Sequence, residues 1–177
     1  VLFLSFLLFA VSLFFIFFAL HDGALKSGGA DNFLNTIEKQ IIPFIDNTYK
    51  TTEDRGITGH SLGGLLTAYC LFKKPTLFNR YGINSPALWW NNFELIQLEE
   101  AFKEVNIKIK AKVFFSIGGE EDAMMLNPFH NLTKAIKNHN YINLDYHIKI
   151  FEEETHLSVV PAMGSRTLKV LYGTNVK

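Results

Sequence analysis

The segment Gly59-His60-Ser61-Leu62-Gly63-Gly64 constrains the fold of this chain more than any other feature. It has the pattern Gly-x-Ser-x-Gly, and it joins a short strand pattern at residues 55–59 to a helical pattern with an apolar stripe at residues 62–70. Glycines flank a serine in this way where a strand turns into a helix so sharply that larger side chains would clash. The pattern therefore predicts a strand, a tight turn and a helix, with the Ser61 hydroxyl exposed at the carboxyl end of the strand.

The rest of the chain after residue 21 alternates between strand-like and helix-like stretches. Such alternation predicts an α/β domain with a mostly parallel sheet flanked by helices. Residues 143–151 alternate apolar and polar side chains, which is typical of a half-exposed strand near the edge of a sheet. The further strands are predicted at residues 80–84 and 112–117, and the further helices at residues 93–105, 128–138 and 159–172.

A helix is also predicted before the Gly-x-Ser-x-Gly segment. Phe33, Leu34, Ile37 and Ile41 share one face at helical spacing. Pro43 lacks a backbone N–H, so it should kink or end this helix.

Composition excludes several classes of function. The chain has 177 residues, enough for one domain, and its 17 basic and 17 acidic side chains cancel. No basic stripe is present that could neutralise phosphates, so a nucleic-acid partner is not expected. Cys70 is the only cysteine, which excludes an intrachain disulfide, and its apolar neighbours indicate a buried packing role.

Residues 1–20 differ from everything that follows. Ser5 and Ser12 are their only polar residues, and the run is long enough to span a bilayer or to form the core of a signal peptide. Two other interpretations are an artefactual gene start and a buried element of the domain. If the run is genuine, the protein is membrane-associated or exported; otherwise it is cytoplasmic. The sequence thus divides into an apolar segment at residues 1–20 and a domain at residues 21–177.

A serine nucleophile needs a general base, and six histidines compete for that role. His156 is favoured, because it lies in the loop between the last strand and the last helix, after both the serine and a cluster of acids. His60 lies inside the turn with its ring directed away from the hydroxyl. His130, His139 and His147 fall on or beside helices and strands, and His21 precedes the domain.

The acid that orients the base should follow the strand ending at Gly118. Glu120, Glu121 and Asp122 all lie there, and position alone does not separate them. The backbone N–H of Leu62, at the start of the helix, is the candidate oxyanion donor.

Six stretches carry a family resemblance that covers the chain from about residue 27 to its end. In order, SGGADNFL, IIPFID, GHSLGG, LFKKPTLFNRY, SPALWW and THLSVVPA resemble the putative-esterase family of α/β-hydrolases, most closely its siderophore (enterobactin-type) esterase-like members. The resemblance implies a Ser61 nucleophile, a His156 base and, from a Gly-x-x-Glu pattern that starts at Gly118, Glu121 as the acid. Asp122 is the alternative acid.

The resemblance also places a tryptophan pair near the substrate pocket. In this chain the pair is Trp89 and Trp90, which either contact substrate with His60 or anchor a loop. Some siderophore esterases of this kind work with a Ser-His dyad, so the resemblance does not decide how much the acid contributes to catalysis.

The resulting hypothesis is a carboxylic-ester hydrolase that acts on small acyl esters and needs no metal or organic cofactor. The rival hypothesis is a non-catalytic fragment or membrane-tethered pseudo-enzyme that retains the motif, and acyl transfer to an acceptor other than water is a third. Complete members of the family have strands before SGGADNFL, where this chain has residues 1–20. We therefore expect a sheet without its N-terminal strands, an exposed edge beside residues 55–59, low solubility and weak turnover.

Overall fold

The sheet is parallel throughout and follows chain order. A computed structural model describes residues 7–9, 29–105 and 107–173. Within them, five strands lie side by side in the order β1-β2-β3-β4-β5, each parallel to its neighbour. Their bounds are β1 Leu7–Phe9, β2 Gly56–His60, β3 Arg80–Asn84, β4 Lys108–Gly118 and β5 Ile142–Phe151. The predicted fold class, an α/β-hydrolase-type parallel sheet with flanking helices, is confirmed.

Helices lie between consecutive strands, as connections between parallel strands require. They are α1 Ala30–Thr36, α2 Ile42–Thr48, α3 Leu62–Lys73, α4 Trp90–Val105, α5 Ala123–His139 and α6 Val160–Tyr172. Among the described residues, no helix is both long enough and apolar enough to cross a bilayer.

Two faces of the sheet bury different kinds of side chain. On one face Tyr81, Ile83, Val113 and Phe115 are fully buried in the main apolar core, together with residues of α3 and α5. Side chains alternate along a strand, so residues 82 and 84 point to the other face. There Thr167 of α6 donates a hydrogen bond to the Asn84 Oδ1 atom, 3.0 Å away. The sheet is thus the middle of three layers.

Three residues of the apolar N-terminal run take part in the sheet. Leu7–Phe9 form β1 and pair in register with residues 56–58 of β2. The edge of β2 that we expected to be exposed is therefore paired along these residues. The remainder of the run, residues 1–6 and 10–20, lies outside the described residues.

Pro43 lies just after an interruption of the α-helical pattern. A five-residue π-helical turn, Ile37–Ile41, follows α1, and α2 then carries Pro43 in its first turn. Proline is tolerated at a helix start because its missing N–H would have no partner there. The helix therefore does not end at Pro43: the α-helical hydrogen-bond pattern is interrupted immediately upstream of it, and α2 continues to Thr48.

The last strand and the cysteine behave as predicted. β5 lies at one edge of the described sheet, with Leu144, Tyr146 and Ile148 half-buried and the residues between them exposed. Cys70 is fully buried, and burial raises the pKa of its thiol to about 12.

Candidate active site

The turn between β2 and α3 holds Ser61 in a strained backbone conformation. Its φ of 58° and ψ of −119° fall outside the regions that L-residues normally occupy. The Ser61 N–H donates to the carbonyl oxygen of Asn84 over 3.1 Å, and the Ser61 carbonyl accepts from the N–H groups of Leu65 and Ala87. Neighbouring backbone thus fixes the turn on both sides, which is how such strain persists at a functional position.

Two glycines of the segment, Gly59 and Gly64, are explained by close backbone contacts. A Cβ atom on Gly59 would lie 2.2 Å from the carbonyl carbon and oxygen of Gly63, and one on Gly64 would lie 2.6 Å from the Asn84 oxygen. Backbone atoms cannot swing aside as a flexible side chain can. Only glycine therefore fits where β2, α3 and the end of β3 meet around Ser61.

Leu62 begins α3 directly behind the serine. The first N–H groups of an α-helix have no carbonyl partner within that helix, and the helix dipole places partial positive charge there. The Leu62 N–H therefore lies where a negative oxygen formed beside Ser61 could be stabilised.

Glu121 follows β4 and is surrounded by hydrogen-bond donors. Its Oε2 atom accepts from His156 Nδ1 at 2.8 Å, and its Oε1 atom accepts from Ser85 Oγ at 2.5 Å and from the Gly118 N–H at 3.0 Å. The carboxylate is fully buried. Burial alone would raise the pKa of Glu121, but these donors outweigh it and hold that pKa below its usual value.

The neighbouring acids have other surroundings. Glu120 is exposed to solvent. Asp122 caps α5, where its Oδ1 atom accepts from the Met125 N–H over 3.0 Å. Of the three acids that the sequence could not separate, only Glu121 contacts His156 in the part of the chain described.

His156 lies in the loop between β5 and α6, next to the serine turn. His60, the residue before Ser61, donates from Nε2 to the His156 carbonyl oxygen over 2.9 Å, and the two rings are 4.4 Å apart. Burial and then the nearby His156 lower the pKa of His60, which favours a neutral ring at this contact. His60 thus connects the Ser61 turn to the loop that carries His156.

Three other histidines occupy different places. His130 is exposed on α5, and His147 is exposed on β5, 3.4 Å from Asp145. His139 ends α5 and contacts Glu99 at 2.7 Å, near the amino end of β5 and far along the sheet from its carboxyl ends. His21 lies outside the described residues.

The tryptophan pair is fixed against the helix that follows the acid. The Trp89 and Trp90 rings are 5.6 Å apart, and both residues are half-buried. Trp89 donates from Nε1 to the Met125 Sδ atom over 3.2 Å. The pair therefore lies close to the loop that carries Glu121, and left-handed residues 91–93 interrupt the first turn of α4, which begins at Trp90.

Sequence reasoning missed Ser85. It follows β3, and its hydroxyl donates to Glu121. Parallel strands end at one edge of the sheet, so the residue after β3 must lie between the residues that follow β2 and β4. The strand order contains this signal, but the residues Ser85-Pro86 by themselves indicate only the end of a strand.

No metal centre is evident among the described residues, where no three His, Cys, Asp or Glu side chains are grouped so as to hold an ion.

A parallel sheet with a Gly-x-Ser-x-Gly turn at its carboxyl edge defines the α/β-hydrolase class of fold. Residues 20–158 match the family described as Putative esterase. The ferri-bacillibactin esterase BesA of Bacillus subtilis is 29% identical over 157 residues, which are 81% of this chain and 52% of that protein. The siderophore triacetylfusarinine C esterase of Aspergillus fumigatus is 37% identical over 79 residues, 44% of this chain and 27% of that protein. The BES protein from Bacillus cereus superposes with a TM-score of 0.77 at 30% identity, covering 85% of this chain and 57% of that one.

The chain belongs to the putative esterase family, since the family match extends over most of its length. The siderophore-esterase resemblance seen in the sequence is confirmed by these relatives. The chain spans about half the length of BesA and of the Bacillus cereus protein.

Proposed function

We propose that this protein is a serine-type carboxylic-ester hydrolase with Ser61 as nucleophile, His156 as general base and Glu121 as the orienting acid. The observation that carries the proposal is the 2.8 Å hydrogen bond from His156 Nδ1 to the buried Glu121 carboxylate, beside the strained Ser61 turn. A carboxylate that accepts from Nδ1 leaves Nε2 without its proton, so that Nε2 can accept one from the serine hydroxyl.

The proposed reaction has two halves. The Ser61 oxygen attacks the ester carbonyl carbon while His156 takes the hydroxyl proton, and the Leu62 N–H donates to the oxygen that becomes negative. The tetrahedral intermediate collapses, the alkoxide leaves with the proton from His156, and an acyl-serine remains. A water molecule then attacks the acyl carbon with the same proton transfers and releases the free acid.

Glu121 contributes through charge. While His156 holds the proton it is a cation, and the Glu121 carboxylate against Nδ1 stabilises that cation. Donors from Ser85 and Gly118 keep the carboxylate ionised although it is buried. Ser85 and Gly118 thus stabilise the Glu121 anion, and that anion stabilises His156 in its protonated form.

For the substrate we propose small acyl esters of the siderophore type, bound in a pocket that includes His60, Trp89 and Trp90. The relatives named for ferri-bacillibactin and triacetylfusarinine C support this choice. The half-buried tryptophan rings offer flat apolar surface beside the proposed acid. We propose residues 21–177 as the unit that carries this chemistry.

The test is hydrolysis of a short activated ester, ferri-bacillibactin and triacetylfusarinine C by the purified chain, with the free acid measured as product. Ser61→Ala should abolish release. Ser165→Ala, which truncates an exposed serine on α6, is the matched control and should leave release unchanged. Equal release by the wild type and Ser61→Ala would overturn the nucleophile, and transfer of the acyl group to an added alcohol instead of water would overturn hydrolysis.

A further inference from the structure

Ser85 contacts the proposed acid from the side opposite His156. Its hydroxyl donates to Glu121 Oε1 over 2.5 Å, whereas His156 donates to Oε2. A distance of this length is typical of a hydroxyl that donates to an ionised carboxylate. Ser85 itself is fully buried, so a substrate in an open pocket would not touch it.

The backbone around Ser85 links the nucleophile turn to the acid strand. The Ser85 N–H donates to the carbonyl oxygen of Ser116 on β4 over 2.7 Å. The preceding residue, Asn84, accepts the Ser61 N–H at its carbonyl oxygen and the Ser116 hydroxyl at its side chain. The end of β3 is thus held at a fixed place between Ser61 and Glu121.

Ser85 adopts a backbone conformation that glycine would adopt more easily. Its φ is 39°, in the left-handed region where a side chain costs free energy and glycine does not. A glycine here would relieve that strain but would provide no hydroxyl. A serine held in such a conformation by its surroundings points to a role for the side chain.

We propose that Ser85 is a positioning residue for Glu121, whose hydroxyl fixes the carboxylate so that Oε2 faces His156. The proposal rests on the proposed function, because it gives Ser85 a role only through the Glu121–His156 pair. Without the hydroxyl, Oε1 would keep the Gly118 N–H as donor, and the carboxylate would be less firmly oriented and less well stabilised as an anion.

Removing the Ser85 hydroxyl should change the pH at which the Glu121–His156 pair binds a proton, in a definite direction. Among the described residues, the titratable groups that face Glu121 are His156, in direct contact, and His60 behind it. A buried carboxylate that loses a donor is less stable as an anion, so the Glu121–His156 pair binds a proton at higher pH. The acid limb of the activity profile must therefore move upward.

The experiment compares Ser85→Ala and Ser85→Gly with the wild type. Both remove the hydroxyl, but alanine keeps the strained φ and glycine relieves it. Rates of Ser61 labelling by a fluorophosphonate are measured from about pH 4 to 9, a range that spans the ordinary pKa values of glutamate and histidine, together with kcat and KM for a short activated ester. Thr133→Val is the matched control, since it removes a buried hydroxyl on α5 that donates to the Phe129 carbonyl.

We expect both Ser85 variants to move the acid limb upward by about one pH unit and to lower kcat about tenfold, the effect of one hydrogen bond to a charged group. KM of the Ser85 variants should stay within about twofold of the wild type, because Ser85 does not contact substrate. Thr133→Val should match the wild type in both kcat and KM, because Thr133 contacts neither substrate nor Glu121. Ser85→Cys, similar in size but a weaker donor, should give an intermediate shift and tests the proposal if the truncations do not fold.

Superposable pH profiles for wild type and the Ser85 variants, with Ser61 still labelled, would overturn the role of Ser85 and leave the proposed function intact. Absence of any Ser61 labelling in the wild type would instead overturn the proposed function.

Discussion

Replacing Glu121 by glutamine keeps the size of the side chain and removes its charge. The geometry decides how the amide must orient. The Oε1 position receives the Gly118 N–H, a backbone donor that cannot reverse. The amide oxygen should therefore take that position, and the amide NH₂ group should face His156 Nδ1 at the present 2.8 Å contact.

The consequence is a change of tautomer at the base. An NH₂ group facing Nδ1 requires Nδ1 to accept, so the ring proton moves to Nε2, which can then no longer take a proton from Ser61. The corresponding acid-to-amide change in a serine protease triad lowers kcat by about 10⁴ for this reason. For Glu121→Gln we expect a loss of about 10³ to 10⁴, equivalent to about 4 to 5.5 kcal/mol of transition-state stabilisation.

The assay is steady-state hydrolysis of a short activated ester at one fixed pH near neutrality. Glu120→Gln and Asp122→Asn are the controls: Glu120 is exposed, and asparagine at residue 122 can still cap α5 through its side-chain oxygen. Both should stay within about twofold of the wild type. If Glu121→Gln also stays within twofold, the reasoning fails and the site works as a Ser-His dyad; a large loss at Asp122→Asn alone would move the acid by one residue.

Further measurements probe the Ser61 turn, the His60 contact and the charge of Glu121. Gly59→Ala should abolish activity and lower the melting temperature, because its Cβ would lie 2.2 Å from backbone, whereas Gly164→Ala on α6 meets nothing within 4 Å and should raise stability by about 0.5 to 1 kcal/mol. His60→Ala should lower kcat, because it removes the hydrogen bond from His60 to the His156 carbonyl oxygen. His60→Gln can still donate to that oxygen and should lower kcat less. Equal losses in kcat would refute a role of His60 in holding the His156 loop. The pKa of Glu121 in the folded protein lies below its usual 4.5, so the ionised carboxylate contributes stability above pH 4.5. That contribution is lost as the pH falls through the folded pKa. The free energy of unfolding in urea should therefore depend less on pH between about 5 and 3 for Glu121→Gln than for the wild type.

The sequence predicted those parts of the fold that local patterns determine. β3 occupies the predicted residues 80–84, whose carboxyl end is marked in the sequence by the turn residues Ser85-Pro86. The alternation of β5 alone predicts its place near an edge, and the sheet order agrees. The Ser61 turn was predictable from its Gly-x-Ser-x-Gly pattern, because Gly59 is required by a backbone contact with the nearby Gly63.

Other parts depended on contacts between residues distant in sequence. Three adjacent acids follow β4, and only the folded chain distinguishes the one that reaches His156, 35 residues further on. Ser85 was missed because its partner lies 36 residues away, beyond the end of another strand. The π-helical turn before Pro43 was not predicted, because the apolar pattern of residues 33–41 carries no signal for it.

The central claim is that Ser61 is a nucleophile activated by His156. Its most direct test is the rate at which a fluorophosphonate modifies the chain, with the modified peptide identified by mass spectrometry. The wild type should be labelled at Ser61, His156→Ala should be labelled slower by orders of magnitude, and His147→Ala, which truncates an exposed histidine on β5, should match the wild type. Labelling at a residue other than Ser61, or an equal rate in the wild type and His156→Ala, would contradict the account.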